Sequence, residues 1–578
     1  MAPTTSTSRV QQLLPAAWCV VLVGLLLGPA LGPGFLLTYD LVWVPDLALR
    51  PDFLGTGGAL PRAVPSDAVV AVVDALVPGM LLEKLVLAGS LVAAGLGAAR
   101  LVGPRLSARL VAVSLAVWNP FVVERLWLGH WTVLVGYACL PWLAGAAIRA
   151  RRERRVPVSL PLLLPLASLS ASAGVTSAVV VLALGVSLSR EGGSRRTSAW
   201  LVLAVVAANA PWLVAGLLHA GTADITASTE QFGLHGDGLP APLAALSMAG
   251  IWNAQVVPGT RDGLLLPLLF LSFLVALAAL GWPRARARLG RRTTAGLVGC
   301  WAAGIAVAVL TWLAPGAVDA LAGAVPGAGL VRDGSRTLAL ALPLLVVLAG
   351  AGAEELVDRC ARRGSRELGL LLAAAATLVP VAVLPDAAWG IGGELRPADY
   401  PADWATARSA LADADPPGDL LVLPAGAYRA PEWNHGRTVL DPLGRYLTMD
   451  WVSDDTLVVD DVTIPGDDPR IPRVEQALAQ PPGARAALLA DLGIGAVAVE
   501  KDASPPAPEA PAVPGTVVAD GATLRVVVLD EDVTVRERPA GWVLALALAW
   551  SAYVGCALVG VALAVVRTAR RRRSGRAP

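Results

Sequence analysis

Two carboxylates lie close together directly after the first long apolar run of the chain. Asp40 and Asp46 are six residues apart in the segment Tyr39–Asp46. A carboxylate at a membrane surface can act as a general base toward an acceptor hydroxyl, or hold a divalent cation such as Mg²⁺ or Mn²⁺ against a phosphate. The alternative is a solvated loop whose aspartates cap neighbouring helices. Both interpretations stay open from the residues alone.

A second set of polar residues lies in the segment Trp118–Trp131, where one apolar run ends and the next begins. Ionisable groups at such a boundary are costly unless they are used. Glu124 and Arg125 are candidates to bind the phosphate and hydroxyls of a substrate, whereas the alternative is an ion pair that fixes the loop. His130 is a further candidate, and by itself it is also typical of a hydrogen-bonding residue at a membrane interface.

Arg332 and Arg336 form a third set, just before another apolar run. An outward arginine at a helix N-terminus suits a phosphate or pyrophosphate, which the helix dipole also attracts. The alternative is that Arg332 pairs with Asp333 while Arg336 extends along the membrane surface. The His and acidic residues elsewhere fit no zinc spacing, so the sequence predicts no metal site of that kind and no certain cofactor.

The elements that position these residues are predicted to be membrane-spanning helices. The chain has 578 residues, of which 55% are hydrophobic and 16% charged, too few charges for a mainly water-facing surface. Single spans of about 20 apolar residues are expected near 13–36, 80–99, 106–122, 131–149, 198–217, 263–282, 293–313, 335–353, 367–385 and 541–566. The stretch 156–189 is too long for one span and is broken at Ser168–Gly174, which predicts two short helices. The total is about twelve.

Arginines mark alternate loops and so predict the sidedness of the membrane. With the N-terminus inside, the loops after the even-numbered helices are Arg-rich, as expected for cytoplasmic loops. These loops are Arg100–Arg109, Arg149–Arg155, Arg190–Arg196, Arg284–Arg292, Arg359–Arg366 and Arg567–Arg576. We therefore predict a multi-pass plasma-membrane protein with both termini in the cytoplasm. The net charge of +1 indicates no nucleic-acid partner.

Three regions follow from this topology. Residues 1–385 are predicted to form a transmembrane domain of eleven helices, and 541–578 a final helix with an Arg-rich tail. Residues 386–540 are predicted to form a mixed α/β domain outside the cytoplasm, with 26 acidic and 12 basic residues. Its strand-like runs are Leu420–Leu423, Ala496–Val499 and Leu524–Leu529, and its helix-like runs are Asp403–Ala412 and Val474–Leu492.

The layout resembles the GT-C superfamily of membrane glycosyltransferases. An acidic loop follows the first helix, an amphipathic outer helix precedes the second, paired short helices lie mid-chain and a domain follows near the C-terminus. The segments Asn119–Trp131 and Arg332–Arg336 are similar to those of actinobacterial envelope proteins related to arabinofuranosyl- and mannosyltransferases. The resemblance implies a GT-C-like fold over about 1–385 and a catalytic Asp in the first outer loop. That role falls on Asp40, with Asp46 second, although the adjacent acidic pair common in GT-C enzymes is absent.

The resemblance also implies a polyprenyl-phosphate sugar as donor and an envelope glycan or protein as acceptor. In the leading hypothesis Asp40 deprotonates the acceptor, while Arg332 or Arg336 and the loop of Glu124 and Arg125 hold the lipid phosphate. One alternative is a transporter or flippase of a lipid-linked precursor. However, the predicted helix centres are apolar, and ionisable groups cluster at the outer ends. The other alternative is a non-catalytic envelope assembly protein.

Overall fold

The structure is a computed structural model that describes residues 9–187, 194–220, 229–325, 327–452, 454–459, 462–464, 466, 468–503 and 511–573. The membrane part is almost entirely helical. In chain order its helices are α1 Arg9–Leu27, α2 Ser66–Asp74, α3 Gly79–Leu101, α4 Leu106–Val117, α5 Pro120–Trp127, α6 Trp131–Glu153, α7 Ser159–Leu166, α8 Ala171–Gly185, α9 Arg195–Leu218, α10 Thr229–Phe232, α11 Ala241–Leu246, α12 Leu265–Leu289, α13 Arg291–Leu313, α14 Pro315–Ala324, α15 Leu342–Arg362, α16 Arg366–Val383 and the short, left-handed α17 Ala388–Gly393.

Ten helical segments in the described part of the chain are long and apolar enough to cross a membrane. They are Leu13–Leu31, Gly79–Leu101, Leu106–Trp127, Trp131–Glu153, Arg195–Leu218, Leu265–Leu289, Arg291–Leu313, Gly334–Arg362, Arg366–Val383 and Ala540–Ala569. Each coincides with one of the ten single spans predicted from hydropathy. The protein is therefore a multi-pass α-helical membrane protein, as predicted. The end of the predicted Arg-rich tail, 574–578, lies outside the described residues.

The remaining apolar stretch, 156–189, folds as two shorter helices, as its central break predicted. Helix α7 has eight residues and α8 has 15. At a rise of 1.5 Å per residue α7 is about 12 Å long, well short of the hydrocarbon thickness of a bilayer. Ser170 ends the break, and its side chain accepts the backbone N–H of Ala173 to cap α8. Of the twelve predicted helices, ten therefore have full spanning length, and α7 and α8 are short.

A five-stranded sheet forms the centre of the C-terminal domain. The helices of this region are α18 Ala402–Ala414, α19 Leu443–Tyr446, α20 Ile471–Leu478, α21 Pro482–Asp491 and the final spanning helix α22 Ala540–Arg573. Two strands pair across the domain boundary, β1 Phe35–Leu36 with β2 Pro397–Ala398, and the others are β3 Asp419–Leu423, β4 Tyr428–Arg429, β5 Val439–Leu440, β6 Trp451–Val452, β7 Leu457–Val459, β8 Val462–Ile464, β9 Ile494–Glu500, β10 Thr516–Asp520 and β11 Leu524–Val528.

Helices cover both faces of this sheet. Its strand order is β10-β11-β9-β3-β6, parallel among β6, β3 and β9 and antiparallel elsewhere. Because successive side chains of a strand point to opposite faces, Leu420 belongs to the apolar cluster with Trp404 of α18. The next residue, Leu421, belongs to the cluster with Leu489 of α21. The predicted mixed α/β character of this region is confirmed.

The loop that follows α1, which contains Tyr39 and Asp40, is held between the membrane part and the C-terminal domain. Besides the β1–β2 pair, Tyr39 N–H donates to Thr438 O at 2.7 Å, and Leu440 N–H donates to Tyr39 O at 2.7 Å. The Tyr400 hydroxyl donates to Trp43 O at 2.7 Å. Backbone pairing of this kind fixes the path of the loop regardless of its side chains. The domain is therefore part of the framework that positions Asp40.

Helix α5 is short, and its start is fixed by Asn119. The Asn119 side chain accepts the backbone N–H of Val122 at 3.1 Å, and Pro120 occupies the first helical position. The side-chain amide of Asn119 also donates to the Tyr137 hydroxyl at 2.9 Å. Asn at the N-cap and Pro at the first position are the residues that helix starts prefer. This cap determines where Glu124 and Arg125 lie.

Replacing Asn119 with Ala should destabilise the protein by about 2 kcal/mol, because the cap is lost and a buried tyrosine hydroxyl loses its donor. The measurement is the thermal unfolding midpoint of the purified protein in detergent. Asn253→Ala is the matched control, since Asn253 caps only a short, partly exposed turn. Equal midpoints for the two variants would contradict the role given to Asn119.

Candidate functional site

Asp40 presents a carboxylate with one open side at the end of the helical bundle. Its Oδ2 lies 3.1 Å from His130 Nε2, and its Oδ1 accepts a 2.7 Å hydrogen bond from the Tyr428 hydroxyl. The side chain stays 39% exposed. The backbone N–H of Asp40 donates to Leu128 O at 3.1 Å, which ties the loop to the end of α5. The carboxylate is thus fixed by two donors and still reachable by a substrate.

The partners of His130 define its tautomer. Arg125 Nη1 lies 3.0 Å from His130 Nδ1, and a guanidinium can only donate. Nδ1 is therefore the acceptor, and Nε2 carries the proton that is donated to Asp40, because the 3.1 Å contact of Nε2 with this carboxylate is shorter than its 3.4 Å contact with Arg336. Burial and the positive charge of Arg336, whose Nη2 lies 3.4 Å from Nε2, lower the pKa of His130 to about 4. His130 is accordingly a neutral donor at pH 7.

Arg125 is fully buried, so its charge must be balanced inside the protein. Its Nη1 lies 3.1 Å from Asp333 Oδ2, and its Nη2 donates to the Ser335 hydroxyl. Removing one partner of such a buried pair is costly, because it leaves an uncompensated charge. These contacts hold the Arg125 guanidinium in one orientation. In that orientation Nη1 is directed at His130. Asp333, Arg125, His130 and Asp40 form a continuous chain of polar contacts, called here the Asp40 network.

Arg336 brings a positive charge to the open side of the Asp40 network. Its Nε donates to Asp333 Oδ2 at 2.8 Å, and its side chain is 33% exposed. Its Nη1 lies 3.4 Å from the hydroxyl of Ser172, in the first turn of α8. A helix N-terminus carries partial positive charge, which adds to that of the guanidinium. An anion such as a phosphate is favoured between Arg336 and α8.

The charge state of Asp40 follows from its neighbours. Burial raises the pKa of Asp40, but the hydrogen bonds from His130 and Tyr428 and the charge of Arg336 outweigh it, so the pKa lies below its ordinary value. Burial and the Asp40 carboxylate raise the pKa of the Tyr428 phenol well above its usual range. Asp40 is therefore an ionised acceptor at neutral pH, and Tyr428 keeps its proton.

Gly129 allows the loop that contains Asp40 to approach the end of α5. It has φ +83°, in the left-handed region that favours glycine. A Cβ built on Gly129 would lie 2.1 Å from Leu41 N and 2.8 Å from Asp40 C, both backbone atoms. No side chain larger than hydrogen fits without moving the loop. Gly129 thereby sets the distance between Asp40 and His130.

The structure brings Asp40, Arg125, His130 and Arg336 together but places the other predicted residues elsewhere. Asp46 is 68% exposed and its Oδ2 accepts a 2.8 Å hydrogen bond from Arg408 of α18. The Arg332 guanidinium lies over the Phe232 ring, 4.5 Å from its centroid. Glu124 is buried and interacts electrostatically with Asp237 and Arg261. The catalytic role considered for Asp46 and the substrate-binding roles considered for Arg332 and Glu124 stay predictions.

Sequence reasoning missed two members of the site. Asp333 was considered only as a partner of Arg332, whereas it pairs with Arg125 and Arg336. No local sequence pattern indicates that Asp333 pairs with Arg125, because the two residues lie 208 positions apart. Tyr428 lies in the C-terminal domain, and no sequence pattern indicates that it reaches Asp40.

The residues of this site do not fit a divalent cation well. Both oxygens of Asp40 already accept hydrogen bonds, and Asp333 is paired with two arginines. Among the described residues, no group of three or more His, Cys, Asp or Glu side chains could hold a metal ion. The Mg²⁺ or Mn²⁺ considered from the sequence therefore enters no step below.

Comparison with solved structures identifies proteins that have a similar fold. Arabinofuranosyltransferase AftD from Mycobacteria superimposes with a TM-score of 0.51 at 19% identity, over 91% of this chain and 40% of AftD. Two structures of an AftD point mutant each give a TM-score of 0.52 at 18% identity, over 92% and 42% of the respective chains. This chain therefore shares the fold of AftD. This confirms the predicted GT-C-like architecture.

The GT-C-like chain spans about two fifths of the length of AftD. No protein-family model matches it, and no curated protein matches it. At this level of identity the likeness concerns the fold, and the chemistry must be argued from the Asp40 network itself.

Replacing Gly129 with Ala should destabilise the protein by about 2 kcal/mol or more, because the new Cβ meets backbone atoms and the left-handed conformation disfavours alanine. The measurement is again the thermal unfolding midpoint in detergent. Gly89→Ala is the control, since Gly89 lies in helix α3 with open space around its Cβ position and should not be destabilised. An unchanged midpoint for Gly129→Ala would show that the loop is not held as tightly as described.

Proposed function

We propose that this protein is a glycosyltransferase that moves a sugar from a polyprenyl-phosphate donor to a glycan acceptor of the cell envelope. The proposal rests on one observation. Asp40 is ionised and partly exposed, and it lies beside the positive charge of Arg336, which in turn lies near the N-terminus of α8. A base and an anion site next to each other are what transfer from a sugar phosphate requires. The GT-C fold, shared with an arabinofuranosyltransferase, supports the same class of reaction.

The proposed reaction is a single displacement with inversion. The oxygen of the acceptor hydroxyl attacks the anomeric carbon of the donor. At the same time, Asp40 accepts the proton of that hydroxyl. The bond between that carbon and the phosphate oxygen breaks, and the polyprenyl phosphate leaves with the electron pair. Arg336 and the N-terminus of α8 stabilise the charge that develops on the phosphate. His130 holds the carboxylate in place and stays neutral throughout.

We also propose that this site faces the exterior of the cell. The arginine distribution predicts it, and Asp40 lies at the end of the bundle that carries the C-terminal domain. A lipid-borne donor suits this location, because the polyprenyl chain stays in the bilayer while its phosphate reaches the surface. The bilayer, the donor lipid and the envelope glycan are accordingly the proposed partners.

Replacing Asp40 with Asn should reduce transfer by at least about 10²-fold, because the amide cannot accept the proton. The assay is transfer of a labelled pentose or hexose from a synthetic polyprenyl phosphate to an oligosaccharide, by purified protein in detergent. Asp46→Asn is the matched control, because Asp46 is exposed and lies outside the Asp40 network, so transfer should persist. If Asp40→Asn transferred sugar at the wild-type rate and Asp46→Asn did not, Asp46 and not Asp40 would be the base.

The same preparation separates a transferase from a transporter. Transfer in detergent, without any vesicle compartment, requires an enzyme. If the wild-type protein transfers no sugar but moves an intact lipid-linked sugar between the leaflets of a reconstituted vesicle, the transporter alternative holds and the proposal is wrong.

The activity should also depend on pH in a way set by His130. Since the active base is ionised Asp40, activity is lost as the pH falls through the pKa of Asp40, which is held below its ordinary value. Replacing His130 with Ala removes a hydrogen-bond donor to the carboxylate, so this pKa rises and the acidic limb of kcat/KM moves to higher pH. His235→Ala is the control, as His235 contacts the backbone of Gly233 and not Asp40. An acidic limb at the wild-type position in His130→Ala would contradict the network.

A further inference from the structure

The C-terminal domain reaches Asp40 through the small β4–β5 hairpin. Tyr428 of β4 donates its hydroxyl hydrogen to Asp40 Oδ1, across a sequence separation of 388 residues. The neighbouring strand β5 and Thr438 exchange backbone hydrogen bonds with Tyr39, directly before Asp40. The hairpin therefore holds both the backbone before Asp40 and one oxygen of its carboxylate.

The Tyr428 phenol can act toward Asp40 as a donor only. Burial and the Asp40 carboxylate raise the pKa of this phenol well above its usual range, so it keeps its proton at neutral pH. Its ring meets the ring of Tyr39 edge to face, with centroids 6.4 Å apart, which limits its rotation. The groups that face the Asp40 carboxylate are thus His130 and Arg336 from the membrane part and Tyr428 from the C-terminal domain.

A buried ion cluster anchors the strand that carries Tyr428. The next residue, Arg429, has its Nε 2.9 Å from Glu500 and its Nη2 3.0 Å from Asp441. All three side chains are about 5–6% exposed. Glu500 lies at the end of β9, in the centre of the sheet. Because pulling a charge out of such a cluster is costly, β4 is fixed to the sheet and does not behave as a loose loop.

Two donors on different oxygens hold a carboxylate against rotation about its Cβ–Cγ bond more firmly than one donor does. His130 alone would hold only Oδ2. We infer that Tyr428 is a positioning residue for Asp40, and that the C-terminal domain completes the active site of the membrane part. This inference rests on the proposed function, because it concerns the orientation of the proposed base. It assigns the domain a part in the reaction that is separate from any binding of acceptor glycan.

The experiment compares Tyr428→Phe with Tyr39→Phe in the full-length protein, using the transfer assay in detergent. Each variant removes one phenolic oxygen and keeps the ring, but the Tyr39 hydroxyl donates to Gln255 and not to Asp40. For Tyr428→Phe we expect kcat to fall about tenfold with the acceptor KM nearly unchanged, since one hydrogen bond to a charged group is lost. The acidic limb of the pH profile should also move to higher pH. Tyr39→Phe should leave kcat and the pH profile unchanged.

The outcomes separate this inference from the proposed function. If Asp40→Asn is inactive but Tyr428→Phe matches the wild type in kcat and in its pH profile, the inference is overturned while the proposed function stands. If Asp40→Asn is fully active, the proposed base is wrong irrespective of Tyr428. A drop in kcat with an unmoved acidic limb and a lower thermal midpoint would show that Tyr428 supports only the fold, and would also overturn the inference.

Discussion

The site depends on one buried guanidinium. Arg125 lies with no exposed surface at the end of the helical bundle, where an unbalanced charge would destabilise the protein by several kcal/mol. Asp333 balances it, and the geometry of that pair leaves one guanidinium nitrogen directed at His130. The imidazole is then restricted to the tautomer that donates to Asp40. A requirement of stability thus fixes the orientation of the proposed catalytic group.

The membrane helices could be predicted because the bilayer imposes a simple rule. Backbone polar groups in hydrocarbon must be paired within the helix, so each span needs a long apolar run that is visible in the sequence. All ten full-length spans were predicted for this reason, and Ser168–Gly174 marked the break between α7 and α8. The length of α7 was less predictable, since apolar composition does not define where a short helix ends.

The site could be predicted only in part. Asp40, Arg125, His130 and Arg336 were identified because ionisable residues at the ends of apolar runs are costly and therefore informative. Their partners were not, because pairing across the fold leaves no local pattern. Asp333 lies 208 residues from Arg125, and Tyr428 lies 388 residues from Asp40. Asp46 was chosen by its proximity in sequence, whereas the chain turns between the two aspartates and directs Asp46 to Arg408.

The likeness to AftD and the Asp40 network support the proposal in different ways. The likeness shows that this chain shares the fold of AftD over nearly its whole length, and it leaves open the donor, the acceptor and the residues. The network contains the proposed base, determines its charge state and places Arg336 beside it for the proposed binding of an anion. The C-terminal domain belongs to both lines of support. It is part of the fold shared with AftD, and its β4–β5 hairpin reaches the Asp40 carboxylate.

The protonation state of His130 tests the central claim most directly, because it reports on Arg125 and Asp40 together. The chain has four histidines, so ¹⁵N-histidine labelling with His130→Ala for assignment gives a readable NMR spectrum in detergent. We predict that His130 is neutral at pH 7, protonated at Nε2, and titrates near pH 4. An imidazolium at pH 7, or a neutral ring protonated at Nδ1, would contradict the account.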